Sequence, residues 1–430
     1  MKTLKSHVLQ VSLVLTGVLA LGFMDKSLVS LAIYSVAILL GAMIIAWAAE
    51  ASEVVISQGL ALAIVAWLQV FPEFMIEATI AWSKDVPNML ANFTGANRIL
   101  TGVGWPLVFF VTMFFHHKKT GKFIKEIQLE NEHSAEIVFF MVATIYSIWI
   151  YMQGKLTIFD AFVMISIYVT YLYFVSKLPH LSRKKSEKMV MGIPKKIISL
   201  KKQYIKPVIL VCFLIGGFLI YFTADRFYNE ALALATTLGV SQFLFIQWVA
   251  PFLSEFPEKT SAFYWASKVT QAPMALMNLI SSKLTQWTML MAMIPIVYSI
   301  SVGHIAFIPL TTEVTNTTST TGMELLLTIG SSLYASVFLL KLRFMWFEAA
   351  SLFLLWLVQF IWVDSREIIT WLYFILAACE LIVFRKEIHK AFSGFKTIFH
   401  SHVKTIPSSS GFTYVLTEGG IILDKNKHIR

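Results

Sequence analysis

Charge is scarce in this chain. Only 14% of its 430 residues are Asp, Glu, Lys or Arg, against 57% that are hydrophobic, and the mean hydropathy is +0.71. A water-soluble fold of this length has no interior large enough for so much apolar surface, which excludes the soluble globular classes. Cysteine is nearly absent. Cys212 and Cys379 both fall in apolar runs, so neither a disulfide framework nor a thiolate metal cluster is implied. No Gly-Lys-Ser/Thr phosphate loop occurs, and neither ATP nor another cofactor is implied. The net charge of +10 comes without an interleaved aromatic platform, which argues against nucleic acid as a partner.

What the chain has instead is apolar length. Several runs reach the ~20 residues that cross a bilayer, and about twelve such spans can be read between loop signals. The expected fold is an all-α integral membrane protein of about 12 transmembrane helices, in contact with membrane lipid. Residues 1–24 read as a first helix, the signal-peptide alternative being disfavoured because the next span follows almost at once. The segment 207–238 is long for one straight helix and carries Asp225, Arg226 and Glu230, so a polar extension or kink is expected there.

Sidedness follows from the basic loops. "KLPHLSRKKSEKMVMGIPKKIISLKKQYIK" holds ten Lys/Arg against one acid and belongs in the cytoplasm. Counting spans from it puts "HHKKTGKFIKE", the "KLR" at 341–343 and the basic tail on the same side, with "TTEVTNTTSTTG" outside. Both termini are then cytoplasmic, in a multi-pass protein of the cell membrane. His116 and His117 fall at an interfacial boundary, and Asn316-Thr317-Thr318 is a short sequon in a polar outer loop. In the tail, "SGFTYVLTEGGIILDKNKHIR" alternates as a hairpin would, with "EGG" as its turn; a disordered or membrane-adherent tail is the other reading.

The tripeptide Phe-Pro-Glu occurs twice, at 71–73 and 256–258, each time inside a membrane-length apolar stretch. Its surroundings repeat as well. "VISQGLALAIVAWLQVFPE" aligns with "GVSQFLFIQWVAPFLSEFPE", and "NFTGAN" at 92–97 falls where "NLISSK" stands at 278–283. The central basic loop, 178–206, separates a first unit at 28–177 from a second at 207–363, with an extra N-terminal helix in 1–27 and an extra helix and tail in 364–430. By the loop count the two copies cross the membrane in opposite directions. Inverted repeats with broken helices meeting near the midplane are characteristic of secondary transporters.

The chemistry of the tripeptide suits that reading. Proline removes an N–H and clashes with the preceding turn, freeing carbonyl oxygens, which inside a bilayer need protein, water or a cation. A glutamate beside the break adds charge, and oxygen-only sites of this kind suit Ca2+. Intramembrane ionisable residues are functional candidates by default, the alternative being carboxyls that only lock helices together. Gln69, Glu73 and Glu77 recur every four residues; Glu255 and Glu258 are three apart. Lys283, on the next helix, is placed to pair with Glu255 or Glu258 and stand in for a bound cation. Glu50, Glu53 and Arg98 are further ionisable positions, Arg98 as a partner for a nearby acid.

This arrangement resembles the sodium/calcium exchanger superfamily of cation antiporters, which carry two inverted alpha-repeats with a helix broken at Gly-Thr-Ser-x-Pro-Glu and a following helix opening on Gly-Ser-Asn. The resemblance implies an inverted 5+5 core with alternating access, and it carries the acidic cation ligands onto Glu73 and Glu258. It makes Asn97, in "Gly95-Ala96-Asn97", a carbonyl ligand. Where the family has Thr and Ser before Pro-Glu, this chain has Gln69 and Val70 in one copy and Ser254 and Glu255 in the other; the second Gly-Ser-Asn is Ser281-Ser282-Lys283. The implied activity is export of Ca2+ or another cation against Na+ or H+. Two other classes remain: a transport-inactive membrane scaffold or sensor, and a polytopic membrane enzyme with carboxylates in its outer loops.

Overall fold

The computed structural model describes residues 26–55, 70–129, 133–175, 192–312, 320–387, 389–403, 414–417 and 420–423. Among them, seven helices are long and apolar enough to cross a membrane, and shorter apolar helices accompany them.

The first unit contains α1 (Lys26–Val55), α2 (Phe71–Trp82), α3 (Val86–Ile99), a π-helical turn at Leu100–Gly104, α4 (Trp105–Thr120), α5 (Ser134–Met152) and α6 (Ile158–Val175). After the short α7 (Gly192–Ile198), the second unit runs α8 (Lys202–Thr237), α9 (Gln242–Ser254), α10 (Phe256–Ser267), α11 (Ala272–Thr285), a π-helical turn at Gln286–Leu290, α12 (Met291–Val302), α13 (Thr321–Leu339) and α14 (Trp346–Ile361). α15 (Arg366–Val383) and α16 (His389–Val403) follow. The segment expected to carry a polar extension or kink is one continuous helix: α8 is 36 residues long, with Pro207 inside it.

The two units pack crosswise, as a two-fold relation between them requires. α1 lies against α8, α2 against α12, and α10 against α4. The α1–α8 crossing depends on glycine: a Cβ on Gly41 would meet Ile220 and the Gly216 carbonyl, and one on Gly216 would meet Ile45 and the Gly41 carbonyl. Ser301, at the end of α12, donates to the Trp82 carbonyl at 2.6 Å, so the C-terminal ends of α12 and α2 sit side by side.

Short ladders tie the units at both faces. Glu126–Gln128 (β1), which follows α4, pairs antiparallel with Arg343–Met345 (β4), and Lys155–Leu156 (β2) pairs with Ile308–Pro309 (β3) at the other ends of the helices. The β1–β4 face carries Lys118, Lys119, Lys122 and Arg343, and the N-terminal end of α8 with Lys201 and Lys202 lies there too. The described lysine-rich turns thus share one face. Tyr414–Thr417 (β5) and Gly420–Leu423 (β6) form the tail hairpin. Gln69, the 313–319 loop with its sequon, and the first 25 residues lie outside the described residues.

Candidate ion-binding site

The two Phe-Pro-Glu helices open on the same backbone. Val70, before α2, has φ −86° and ψ 5°; Glu255, between α9 and α10, has φ −93° and ψ 0°. Between α9 and α10 this bridge-region residue ends one helical run without reversing the chain. Pro72 and Pro257 then occupy the first turn of the new helix, where a missing N–H costs nothing. Glu73 and Glu258 fall in the same first turns, at the positive end of the helix dipole. Both are buried, as are Glu77, Ser254, Glu255 and Asn97.

Cross-unit bonds join the two breaks. Gln286, first residue of the second π-turn, donates from Nε2 to Glu73 Oε2 at 3.1 Å and to Glu255 Oε1 at 2.8 Å. Lys259 pairs with the other oxygen of Glu255. Glu73 lies within electrostatic reach of Glu77, Glu255 and Glu258, and Asn92 donates to Glu77 at 2.5 Å. Four carboxyl groups and two ammonium groups therefore share one buried region.

Lys283 departs from the expected pairing. Among the described residues its ammonium makes no ion pair with Glu255 or Glu258. It donates instead to the Asn97 backbone carbonyl at 2.6 Å and to Thr101 Oγ1 at 3.1 Å, with the Trp287 ring 6.0 Å away. The Asn97 carbonyl, three residues before the first π-turn, also accepts from the Leu100 N–H and from Thr101 Oγ1 at 2.6 Å. Glu255 and Glu73 still feel the Lys283 charge. Ser254 turns its hydroxyl back onto the Ala250 carbonyl at 3.1 Å, and Asn97 spends its amide N–H on the Phe93 carbonyl at 3.0 Å.

A second buried cluster sits on another face of α3. Glu324 accepts from Arg98 at 2.6 Å and Arg366 at 2.5 Å. Gln247 donates to Glu324 and to Thr94 and accepts from Arg366 at 2.9 Å, while Arg98 also donates to Gln359 at 2.8 Å. Arg98 was expected to find an acid; Glu324, 226 residues away, was not foreseen. Close approach fixes this face: a Cβ on Gly95 would collide with the Gln247 carbonyl.

The two clusters differ in what they leave unpaired. Seven buried acceptor oxygens near the breaks have no hydrogen-bond donor: Oε1 of Glu73, Glu77 and Gln286, Oε2 of Glu258, and Oδ1 of Asn88, Asn92 and Asn97. In hydrocarbon each such oxygen is costly, and an acceptor-only set is suited to cations or protons. Among the described residues no three His, Cys, Asp or Glu side chains converge as a metal site by themselves; a cation between Glu73 and Glu258 would need amide and carbonyl oxygens to complete its shell. Gln286 and Asn92 were not singled out in the sequence, whereas Lys259 was read as a partner for Glu77 or Glu255 and pairs with Glu255; the signal available for Gln286 was its polar side chain three residues after Lys283 within a membrane-length span.

Two inverted broken-helix units around a buried, acceptor-rich carboxylate site define a membrane ion transporter of the inverted-repeat class. The sodium/calcium exchanger protein family matches residues 26–177 and 208–363, and the chain belongs to it. A crystal structure of the H+/Ca2+ exchanger CAX is 34% identical, with a TM-score of 0.80 over 92% of this chain and 98% of that one. The Ca2+/H+ antiporter YfkE (17% identity, TM-score 0.54, 85% and 98% covered) and the sodium-calcium exchanger NCX_Mj (15%, 0.51, 78% and 99%) share the fold. Comparison with curated proteins gives no match. The protein is a multi-pass membrane member of a cation-antiporter family, whose relatives are transporters rather than enzymes.

Proposed function

We propose that the chain exchanges Ca2+ for H+ by alternating access, with one site shared between the breaks. The observation that carries this reading is the set of partnerless buried oxygens around Glu73 and Glu258. Charge supports it. Glu73, Glu77, Glu255 and Glu258 against Lys259 and Lys283 leave a formal deficit of two positive charges, which one Ca2+ or two H+ would fill. Lys283 and Lys259 add fixed positive charge that disfavours several Na+ ions at once. The likeness to the H+/Ca2+ exchanger CAX, at 34% identity, points to the same ion pair. Glu73 and Glu258 would bind the ion directly, with Asn97 and Gln286 supplying neutral oxygens and Glu77, Glu255 and Ser254 bordering the site. Gln69 belongs to the same proposed set by its spacing. The basic face would lie in the cytoplasm of a cell with the protein in its surface membrane.

The test is flux in sealed proteoliposomes, with Ca2+ uptake driven in turn by H+, Na+ and K+ gradients. Uptake driven by a pH gradient and lost in Glu73→Gln and in Glu258→Gln is the expected result. Uptake driven by Na+ alone would reassign the coupling ion. No cation flux at all would favour a scaffold or sensor built on this fold.

A further inference from the structure

The buried carboxylates connect to one membrane face. At the α3 end opposite Lys118 and Lys119 lies a cavity of about 400 Å³, lined in part by Asp85, Asn88, Thr236 and Gln242. Asp85 caps α3, accepting from the Asn88 N–H at 3.2 Å and from Asn88 Nδ2 at 2.9 Å, and Tyr228 donates its hydroxyl to Asp85 at 2.7 Å. One helical turn deeper, ~5.4 Å along the axis, Asn92 meets Glu77. One turn back along α2 from Glu77 stands Glu73, with Gln286 and Glu255 beside it. Each of these three levels keeps a buried oxygen without a donor: Asn88 Oδ1, then Asn92 Oδ1 and Glu77 Oε1, then Glu73 Oε1.

Interhelical amides are common as simple structural ties, and α3 has that kind too: on its other face Thr94 and Arg98 are bonded into the Glu324 cluster. The Asn88–Asn92 face is built differently. Its amide donors are spent on Asp85, Tyr228 and Glu77, which turns the carbonyl oxygens toward a ligand that accepts nothing and donates positive charge.

Resting on the exchange reading above, we infer that the Asp85–Asn88 cavity is an external way-station for a divalent cation. Asn88, Asn92 and Glu77 form its route to Glu73 from the face opposite the lysine-rich turns. A hydrated Ca2+ would exchange waters for amide and carboxylate oxygens level by level, since it tolerates irregular oxygen shells.

Accessibility tests the route without relying on transport. In a Cys212→Ser, Cys379→Ser background, Asn88→Cys and Asn92→Cys are exposed in sealed vesicles to a small cationic methanethiosulfonate, added from either side. Modification from the Asp85 face alone, faster at 88 than at 92 and slowed at both by Ca2+, is expected. Modification from the lysine-rich face, or of neither cysteine, overturns the route. In flux assays Asn92→Leu should raise the half-saturating Ca2+ by roughly tenfold, about the loss of one good ligand, for Ca2+ presented to the Asp85 face only; an equal rise from both faces contradicts it. A wild-type protein without flux would remove the exchange reading, while the labelling pattern would still decide the route.

Discussion

Residues 70–104 and 255–290 follow one backbone path. In each, a bridge-region residue opens a 12-residue helix, a turn leads into a 14-residue helix, and a five-residue π-turn follows. Even the strained turn residue recurs, left-handed Lys84 (φ 64°) in one and Val269 (φ 60°) in the other. A β-branched residue there is held only by its surroundings. On this common path the side chains diverge. Val70, Phe74, Asn97 and Leu100 of the first unit correspond to Glu255, Lys259, Lys283 and Gln286 of the second. The comparison separates two things that sequence motifs tend to merge: Phe-Pro-Glu dictates the break, and the surrounding positions dictate its charge. The first unit contributes most of the oxygens without donors; the second adds Glu258 Oε2 and Gln286 Oε1, with the ammonium and amide groups that oppose or bridge them.

Removing the shared chemistry should have the largest effect. Glu73→Gln and Glu258→Gln, one from each unit, are expected to abolish pH-driven Ca2+ uptake while leaving the thermal midpoint of the purified protein within a few degrees of wild type. Next comes the clamp on the other face of α3. Glu324→Ala leaves Arg98 and Arg366 buried without their carboxylate and should lower stability by about 3–5 kcal/mol, read as the unfolding midpoint in detergent. Gly95→Ala drives a Cβ into the Gln247 backbone and should cost about 1–3 kcal/mol by the same measurement. The finest test restores the symmetry. Lys283→Asn makes the second unit match Asn97, removes one fixed positive charge, and should keep the fold while raising the H+ to Ca2+ coupling ratio. An unchanged ratio would mean that the ammonium holds helices and does not tune the site.

Much of the architecture was legible because it rests on local rules. Apolar length, the lysine-rich loops and the repeated tripeptide led to membrane helices, a common basic face and paired breaks. Glu73, Glu77, Glu255 and Glu258 could be placed in one region, since the repeat brings the Phe-Pro-Glu breaks to one depth and helical spacing sets Glu77 one turn from Glu73. The partners could not. Gln286 reaches Glu73 across 213 residues and Arg98 reaches Glu324 across 226, and nothing in spacing along one helix encodes which neighbour faces it. Lys283 was assigned to a carboxylate because opposite charges on adjacent helices attract. The ammonium instead reaches the Asn97 backbone carbonyl and the Thr101 hydroxyl on the facing helix, contacts that no charge pattern announces.

The central claim is one cation site assembled from both units. Equilibrium binding of 45Ca2+ to the purified protein tests it most directly, in wild type, Glu73→Gln and Glu258→Gln. One Ca2+ per chain, lost in each single variant although the two residues belong to different repeats, is the predicted result. Two Ca2+ per chain with one retained in each variant, or binding indifferent to both substitutions, would contradict it.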